Sequence, residues 1–114
     1  MSDCIFCKIV AGDLPCDRVY EDEHVIAFND MHPQAPHHIL VIPKTHVAGV
    51  NDFSDEQQLL LGAIVLAAKK IAAQLSVAED GYRLVMNCNG HGGQTVFHTH
   101  MHFLAGRQML WPPG

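Results

Sequence analysis

The sequence predicts an α+β domain in which about five strands pack on one long helix. Only one stretch has the apolar spacing of a long amphipathic helix. The other apolar stretches are short, rich in β-branched and aromatic residues, and bounded by turn residues. At 114 residues and 48% hydrophobic composition, the chain has enough material for one core but not for two, so a single domain is expected.

The first half of the chain predicts a short helical segment followed by three strands. Residues 4–10 are expected to form a short helix or turn, because a glycine and a proline follow closely. Residues 18–21 and 24–29 flank a short acidic turn, which predicts a hairpin. The run 38–43 is apolar on both faces and ends at a proline, which is typical of a buried central strand.

The second half predicts the long helix and two more strands. Ser54 and Gln57 form a capping box, and a helical stripe of apolar residues follows it as far as Leu75. The stripe consists of residues 60, 61, 64, 65, 68, 71, 72 and 75. Strands are then expected over 82–87 and 96–104, and a glycine-rich loop joins them.

Composition limits the partners and the compartment. The net charge is −5 with histidines neutral, and the seven basic residues are scattered, so no cationic surface for a nucleic-acid backbone is expected. The N-terminus has neither the basic flank nor the apolar stretch of a signal peptide, and no apolar run is long enough to span a bilayer. We therefore expect a cytoplasmic protein that binds neither nucleic acid nor membrane.

Three alternating histidines, His98, His100 and His102, are the strongest chemical signal in the chain. In an extended segment, alternate side chains share one face and lie roughly 6.6 Å apart, so three imidazoles would share one surface. Core packing does not favour such a row, because each buried imidazole needs hydrogen-bond partners. An imidazole can act as a nucleophile, a general acid or base, or a metal ligand, and spacing alone does not decide between these roles.

Cys4 and Cys7 form a Cys-x-x-Cys pair near the N-terminus. The pair can pack as small apolar side chains, cycle as a redox dithiol, or supply two of the four ligands of a tetrahedral zinc site. The redox interpretation ranks lowest, because the pair does not lie in a predicted βαβ unit. For a zinc site, His46 and His98 are the best candidates for the other two ligands.

Polar residues beside the predicted strands point to a phosphate or ribose site. The loop 92–95, Gly-Gly-Gln-Thr, is either an ordinary hairpin loop or a set of amides and a hydroxyl that bind phosphate oxygens. Asp30, at the end of a predicted strand, is either a turn former or an acceptor for a ribose diol.

This combination resembles the histidine triad (HIT) family of nucleotide-binding hydrolases and transferases, whose signature is His-φ-His-φ-His-φ-φ with φ apolar. The resemblance covers nearly the whole chain and looks like the Hint branch. The matching stretches are 30–36, 38–44, Asn87, 92–95 and 106–114. Thr99 departs from the signature at an apolar position, but it is expected to face away from the histidines and so to affect local packing rather than chemistry.

The resemblance implies a HIT-like α+β fold: a five-stranded antiparallel sheet with one long helix and a short N-terminal helix. Residues 1–114 would form a single HIT domain, with residues 105–114 as a C-terminal docking tail. A homodimer with a continuous ten-stranded sheet is also implied, in which Trp111 reaches toward the partner's active site. Residues 59–66 support a dimer, since they make the helix apolar over more of its circumference than one small core requires.

The resemblance further implies a purine nucleoside phosphoramidase that hydrolyses AMP- or GMP-linked amines, including aminoacyl-adenylate-type substrates, through a covalent nucleotidyl-histidine. His100 would be the nucleophile, attacking the α-phosphorus and expelling the amine. His102 would hold phosphate oxygens and, with Thr95, help to protonate the departing nitrogen. His38 would support the protonation state of the nucleophile from a neighbouring strand.

The other implied contacts divide between the nucleotide and a metal ion. Phosphate and ribose would be bound by the Gln94 side chain, the Gly93 backbone, Asp30 with Met31 beside it, and Asn87. The purine would lie between Phe6, Ile9 and Phe28. A structural zinc, which would brace the active-site strand without activating water, would be held by Cys4, Cys7, His46 and His98.

Three other functions stay open. A metallohydrolase would use all three triad histidines as zinc ligands, which the alternating pattern permits. A nucleotide-binding or scaffold protein would retain catalysis only incidentally. A dinucleoside polyphosphate hydrolase, as in the related Fhit branch, agrees less well with the tail and the glycine-rich loop.

Overall fold

One antiparallel sheet organises residues 3–114, the part of the chain that this computed structural model describes; the first two residues of the predicted domain lie outside that part. Its strands are β1 (Arg18–Glu21), β2 (Val25–Asn29), β3 (His37–Pro43), β4 (Tyr82–Val85) and β5 (Met101–Ala105), paired in the order β1-β2-β3-β5-β4. The helices are α1 (Ile5–Ala11), α2 (Gln58–Gln74) and α3 (Asn89–Gly92), with 3-10 turns at Val50–Asp52 and Asp55–Gln57. The predicted class is confirmed: a five-stranded antiparallel sheet with one long helix and a short N-terminal helix.

The central strand β3 separates two apolar clusters, because alternate side chains of a strand point to opposite faces of the sheet. The cluster against α2 includes Ile39, Val41 and Phe103. The cluster that includes α1 contains Phe6, Ile9, Leu40 and Ile42. The prediction of a strand buried on both sides is therefore confirmed. His38 and His102 lie on the α1 face of the sheet, since His38 alternates in phase with Leu40 and His102 is paired with Leu40.

Helix α2 begins where the sequence predicts. The Ser54 N–H donates to the Gln57 side-chain oxygen across 2.9 Å, as the predicted capping box requires. The buried residues of the helix are Ile64, Ala67, Ala68, Ile71 and Ala72. The outer side is apolar as well, since Leu59, Val65 and Leu66 are 87%, 49% and 55% exposed, which moves Val65 out of the predicted buried stripe. Across residues 3–114, no helix combines the length and apolar content needed to cross a bilayer.

The last two strands are shorter than predicted, because β4 ends two residues early and β5 begins five residues late. The ladder between β3 and β5 stops at the pair Val41 and Met101. Beyond it, Pro43 has no N–H to donate. The chain instead pairs with the segment after β3, where the Thr99 N–H and hydroxyl donate to the Val47 carbonyl at 2.7 and 2.8 Å. The first two triad histidines therefore precede β5, outside the sheet ladder.

Candidate active site

The three triad histidines lie close together beside α1. The ring centroids of His100 and His102 are 5.3 Å apart, and Phe6 packs against both His98 and His100, at 5.8 and 5.2 Å. His98 is fully buried and His100 is 7% exposed. The rings are neighbours, as the alternating spacing predicts, but each has a different hydrogen-bond partner. Those partners determine where each ring carries its proton.

His100 presents a nitrogen lone pair to the surface of the molecule. Its Nδ1–H donates to the main-chain carbonyl of His98 across 2.8 Å, and a carbonyl only accepts, so the neutral ring carries its proton on Nδ1. The lone pair is then on Nε2. Because His100 lines an open cleft, an electrophile bound there would meet a basic nitrogen.

His38 and His102 form a pair whose protons are ordered by their surroundings. The Gln34 N–H donates to His38 Nδ1 across 3.0 Å, which places the His38 proton on Nε2. That Nε2–H donates to His102 Nδ1 across 2.9 Å, so His102 in turn carries its proton on Nε2. Burial lowers the pKa of both rings, and the nearby Asp30 carboxylate only partly opposes it, so the neutral forms are favoured. His102 therefore supplies an N–H beside the lone pair of His100.

The position of His38 corrects one prediction. Its hydrogen bond goes to His102 and not to His100, whose proton is placed by the carbonyl of His98. The reason is the register of the sheet: His102 is paired with Leu40, so it lies diagonally across from His38 on the same face. His38 is therefore connected to the donor ring and not to the nucleophile.

An open cleft of about 570 Å³ lies in front of His100 and His102. The predicted purine contacts Phe6, Ile9 and Phe28 line it, and the rings of Phe6 and Phe28 pack edge to face with centroids 5.7 Å apart. Met31 and Thr95, for which contacts with the ribose and the leaving group are predicted, are also lining residues. Lining residues that the sequence analysis missed are Ile5, Pro15, Cys16, Asp17, Asn29, Leu40 and Val96. Leu40 and Val96 had a usable signal, because Leu40 alternates with His38 along β3 and Val96 alternates with His98 in the predicted strand.

Asp30 lies in a turn at the edge of the cleft. One carboxylate oxygen accepts the His32 N–H across 2.7 Å, which makes Asp30 a turn former. The other oxygen lies 3.6 Å from His38 Nε2, and the residue lines the cleft. A ligand hydroxyl in the cleft would therefore meet a carboxylate that the turn already holds in place.

The glycine-rich loop uses two of its amides to cap a short helix of its own. Residues 89–92 form α3, a helical turn that the sequence analysis did not predict. The Gly93 and Gln94 N–H groups donate to the carbonyls of Gly90 and Asn89, each across 3.0 Å. Gly93 has a φ of 79°, the left-handed conformation that favours glycine at a helix C-terminus. The Gly93 N–H is thus used within the loop in this structure, and the contact of the Gly93 backbone with phosphate stays a prediction.

The Gln94 side chain also makes its hydrogen bonds within the protein, and it is only 6% exposed. Its Nε2 donates to the Ala48 and Val96 carbonyls at 2.7 and 3.1 Å, and its oxygen accepts the Asn89 N–H at 2.9 Å. The predicted phosphate contact of this side chain is thus corrected to a support of the loop. Asn87 packs beneath Gly92, and neither Asn87 nor Gln94 lines the cleft in the part of the chain that the structure describes.

We expect Gln94→Met to destabilise the protein by about 2–4 kcal/mol, because it removes both donors from the Ala48 and Val96 carbonyls and leaves buried polar groups without partners. Chemical denaturation measures the change in the free energy of unfolding. Gln74→Met, at an exposed position of α2, is the matched control and should change stability by less than about 0.5 kcal/mol. Equal effects of the two variants would contradict the assignment of Gln94 as the support of the loop.

Four predicted ligand residues converge at the start of α1. The Sγ atoms of Cys4 and Cys7 lie 3.3 and 3.6 Å from His98 Nδ1, and Cys7 Sγ lies 3.3 Å from His46 Nδ1. The two Nδ1 atoms are 3.2 Å apart. His98 Nε2–H donates to the Pro43 carbonyl across 2.8 Å, which directs the Nδ1 lone pair toward the sulfur atoms. Burial also lowers the pKa of His98, so the neutral ligand form is favoured. This cluster can hold a metal ion.

A second group of possible ligands, Asp30, His38 and His102, fits a metal ion poorly. The Gln34 N–H occupies His38 Nδ1, so a metal at His38 Nε2 would require a ring with no proton on either nitrogen. The short contact between His38 and His102 is better explained as a hydrogen bond. The polar groups of the cleft therefore act as hydrogen-bond donors and acceptors and not as metal ligands. The candidate metal centre is the separate cluster of Cys4, Cys7, His46 and His98.

This chain is similar to known proteins over nearly its whole length. A family model described as the HIT domain matches residues 11–109. A purine nucleoside phosphoramidase of Escherichia coli strain K12 is 52% identical over 107 residues, which are 94% of this chain and 90% of that protein. A HIT family hydrolase from Legionella pneumophila has a TM-score of 0.96 at 52% identity, covering 98% of this chain and 100% of that one. A histidine triad protein from Clostridium difficile has a TM-score of 0.94 at 44% identity, covering 96% of both.

Proposed function

This chain belongs to the HIT domain family, and from that premise we propose that it is a purine nucleoside phosphoramidase, which hydrolyses AMP- or GMP-linked amines through a covalent nucleotidyl-histidine. The relative from Escherichia coli carries that name at 52% identity. The observation that carries the proposal is the pairing, at one cleft, of a lone pair on His100 Nε2 with an N–H on His102 Nε2. Nucleophilic substitution at phosphorus uses an attacking lone pair together with donors for the oxygens and the leaving group.

The reaction divides into two substitutions at the α-phosphorus. In the first, His100 Nε2 forms a bond to phosphorus and the bond from phosphorus to the amine nitrogen breaks. The departing nitrogen receives a proton relayed from solvent through the Thr95 hydroxyl and His102, since an amide anion is a poor leaving group. In the second, water attacks phosphorus, the bond to His100 breaks, and the proton of the water returns to solvent. Before and after that proton transfer, the His102 N–H donates to the phosphoryl oxygens.

The cleft supplies contacts for the nucleoside. Phe6, Ile9 and Phe28 provide apolar surface for a purine, and aromatic rings favour offset or edge-on contact with a flat base. Asp30 accepts hydrogen bonds from the ribose hydroxyls, with Met31 beside it. Because most of the cleft wall is apolar, the purine is held mainly by its faces, which suits both adenine and guanine.

The cluster of Cys4, Cys7, His46 and His98 holds a structural zinc ion in this proposal. With zinc–sulfur bonds of about 2.3 Å and zinc–nitrogen bonds of about 2.0–2.1 Å, a tetrahedral site has nitrogen–sulfur edges of about 3.6 Å and a nitrogen–nitrogen edge of about 3.3 Å. The corresponding distances here are 3.3–3.6 Å and 3.2 Å. Four protein ligands leave no coordination position for a reacting water, which supports a structural role.

The partners of the triad rings disfavour the three-histidine metallohydrolase. His98 Nδ1 faces two sulfur atoms, whereas the Nδ1 atoms of His100 and His102 are occupied by a carbonyl and by the His38 ring. The covalent mechanism needs this division of roles, because only His100 has to attack. A nucleotide-binding protein with incidental catalysis would not need it.

A homodimer is part of the proposal, formed through the outer side of α2 with the two sheets joined into one of ten strands. The exposed Leu59, Val65 and Leu66 supply the apolar surface that a second copy would cover. Trp111 is 81% exposed in the single chain, as a residue reaching toward a partner's cleft would be. Sedimentation at micromolar concentration should give twice the chain mass of 12.6 kDa, and a stable monomer would contradict the dimer.

A kinetic panel tests the proposed activity. Adenosine and guanosine phosphoramidates, an aminoacyl adenylate and a diadenosine polyphosphate are compared by kcat/KM. We expect the phosphoramidates to exceed the polyphosphate by at least about tenfold, because a proton donor assists the departure of a nitrogen leaving group, whereas a polyphosphate departs as a stable anion without it. Preference for the polyphosphate would overturn the assignment, and nucleotide binding without turnover of any substrate would favour the scaffold function.

A further inference from the structure

The C-terminal tail reaches the histidine pair through a single residue of the turn before β3. Arg107 donates from both Nε and Nη2 to the Gln34 carbonyl, each across 3.1 Å. The N–H of the same residue, Gln34, donates to His38 Nδ1 across 3.0 Å. Arg107 touches neither the cleft lining nor the metal cluster within the described residues, so the proposed mechanism gives it no role.

We propose that Arg107 is a positioning residue: by holding Gln34, it keeps the protons of His38 and His102 on their Nε2 atoms. Its effect on catalysis rests on the proposed function, whereas its effect on proton placement can be observed without any substrate. The connection runs from the guanidinium to the Gln34 carbonyl, from the Gln34 N–H to His38, and from His38 to His102.

The geometry of the contact suits this role. Two donors of a planar guanidinium, Nε–H and Nη2–H, converge on the one carbonyl oxygen and restrain its position more closely than one donor can, and the charge of the group strengthens both bonds. The tail also approaches the turn tightly, because a Cβ added to Gly106 would lie only 2.7 Å from Pro36 Cβ. With a φ of 98°, Gly106 turns the chain so that the next residue, Arg107, can reach Gln34.

The orientation of Gln34 matters because the His38–His102 hydrogen bond can run in either direction. If the Gln34 N–H moves away, His38 can carry its proton on Nδ1 and accept at Nε2 from a His102 Nδ1–H. His102 would then present a bare lone pair to the phosphoryl oxygens, which repel it. Asp30 favours the observed direction, but its oxygen is 3.6 Å from His38 Nε2, beyond ordinary hydrogen-bond distance. The Gln34 N–H is therefore the nearer determinant.

The predicted consequence is a change in proton placement and in kcat, not in substrate affinity. A catalytic histidine held in the wrong tautomer can lose up to about 10⁴-fold in rate. Here Gln34 stays covalently in place and loses only its anchor, so we expect about a tenfold fall in kcat for Arg107→Gln, with KM changed by less than about threefold. Arg107→Lys keeps the charge but not the paired donors, and should fall between this variant and the wild type.

Histidine-selective ¹⁵N NMR of the full chain without substrate measures the proton positions directly, since protonated and bare ring nitrogens resonate far apart. The wild type should show bare Nδ1 and protonated Nε2 in both His38 and His102. In Arg107→Gln, a population with protonated Nδ1 should appear. The matched control is Arg83→Gln, because Arg83 also holds the tail, through the Leu110 carbonyl at 3.0 Å, but does not contact Gln34.

The outcomes separate the possibilities. Altered tautomers and a lower kcat in Arg107→Gln, with Arg83→Gln matching the wild type, support the proposal. Unchanged tautomers in Arg107→Gln overturn it, and so do equal losses in the two variants, which would assign the effect to tail docking in general. Altered tautomers in a protein that turns over no phosphoramidate would support the positioning role and reject the proposed function instead.

Discussion

Replacing His100 with asparagine is expected to lower phosphoramidate turnover by about 10⁴-fold or more, while the nucleotide product still binds. Asparagine fits the space and can donate to the His98 carbonyl as the His100 ring does, but it has no lone pair able to attack phosphorus. Steady-state kcat measures the loss of chemistry, and calorimetric titration with AMP measures binding. The dissociation constant should change by less than about threefold, because the cleft walls that hold the purine are untouched.

The covalent intermediate gives the same variant a second readout. Wild-type protein quenched in alkali during turnover should carry one nucleotidyl group on His100, detected by mass spectrometry of its peptides, and the variant should carry none. His24→Asn is the matched control, since His24 is exposed at the turn between β1 and β2, and it should keep wild-type kinetics. Substantial turnover by the His100 variant would reject the covalent mechanism, and loss of activity on chelation would then favour metal-assisted hydrolysis.

Loss of the proposed zinc is expected to lower thermal stability strongly and leave the cleft residues in place. A ligand present at about a thousand times its dissociation constant contributes about 4 kcal/mol, which for a domain of this size is about 15 °C in Tm. Cys4→Ser should therefore purify with well under one zinc per chain and melt about 10–15 °C lower than the wild type. Metal analysis and calorimetry of the same preparations make the comparison.

Cys88→Ser is the matched control for this prediction, because Cys88 is half-buried but lies outside the cluster. It should retain one zinc per chain and a Tm close to that of the wild type. A wild-type preparation with little zinc, together with a Cys4→Ser variant of unchanged Tm, would remove the structural metal from the proposal.

Patterns carried by single segments predicted most of the fold. The capping box at Ser54 marked where the long helix begins, and the two-sided burial of β3 followed from its unbroken apolar run. The start of β5 did not follow from its own residues. It depends on Pro43 across the sheet, which cannot donate, and on the Val47 carbonyl, which takes the Thr99 donors instead. A strand boundary of this kind is a property of two segments together.

The candidate site likewise has features that a single segment predicts and features that depend on how segments fold together. The residue types at 98, 100 and 102 and the cysteine spacing predicted which side chains converge. The loop could not be predicted equally well, because the Gly93 and Gln94 donors can serve either a ligand or the loop's own carbonyls. Which of the two prevails depends on whether residues 89–92 fold into α3, which brings the Asn89 and Gly90 carbonyls within reach of these donors. The residue types alone do not determine that. The contact of Gln34 with His38 is made by the main chain and has no sequence signature.

The hydrogen bond between His100 and the carbonyl of His98 has a consequence for mutational tolerance. A carbonyl is present whatever side chain occupies position 98, so substitution there does not remove the acceptor that orders the nucleophile. The ring of the same residue belongs to the candidate metal centre and is lost with any substitution. One residue thus serves two features through chemically independent parts, and a lineage could exchange its metal ligand without having to rebuild its nucleophile.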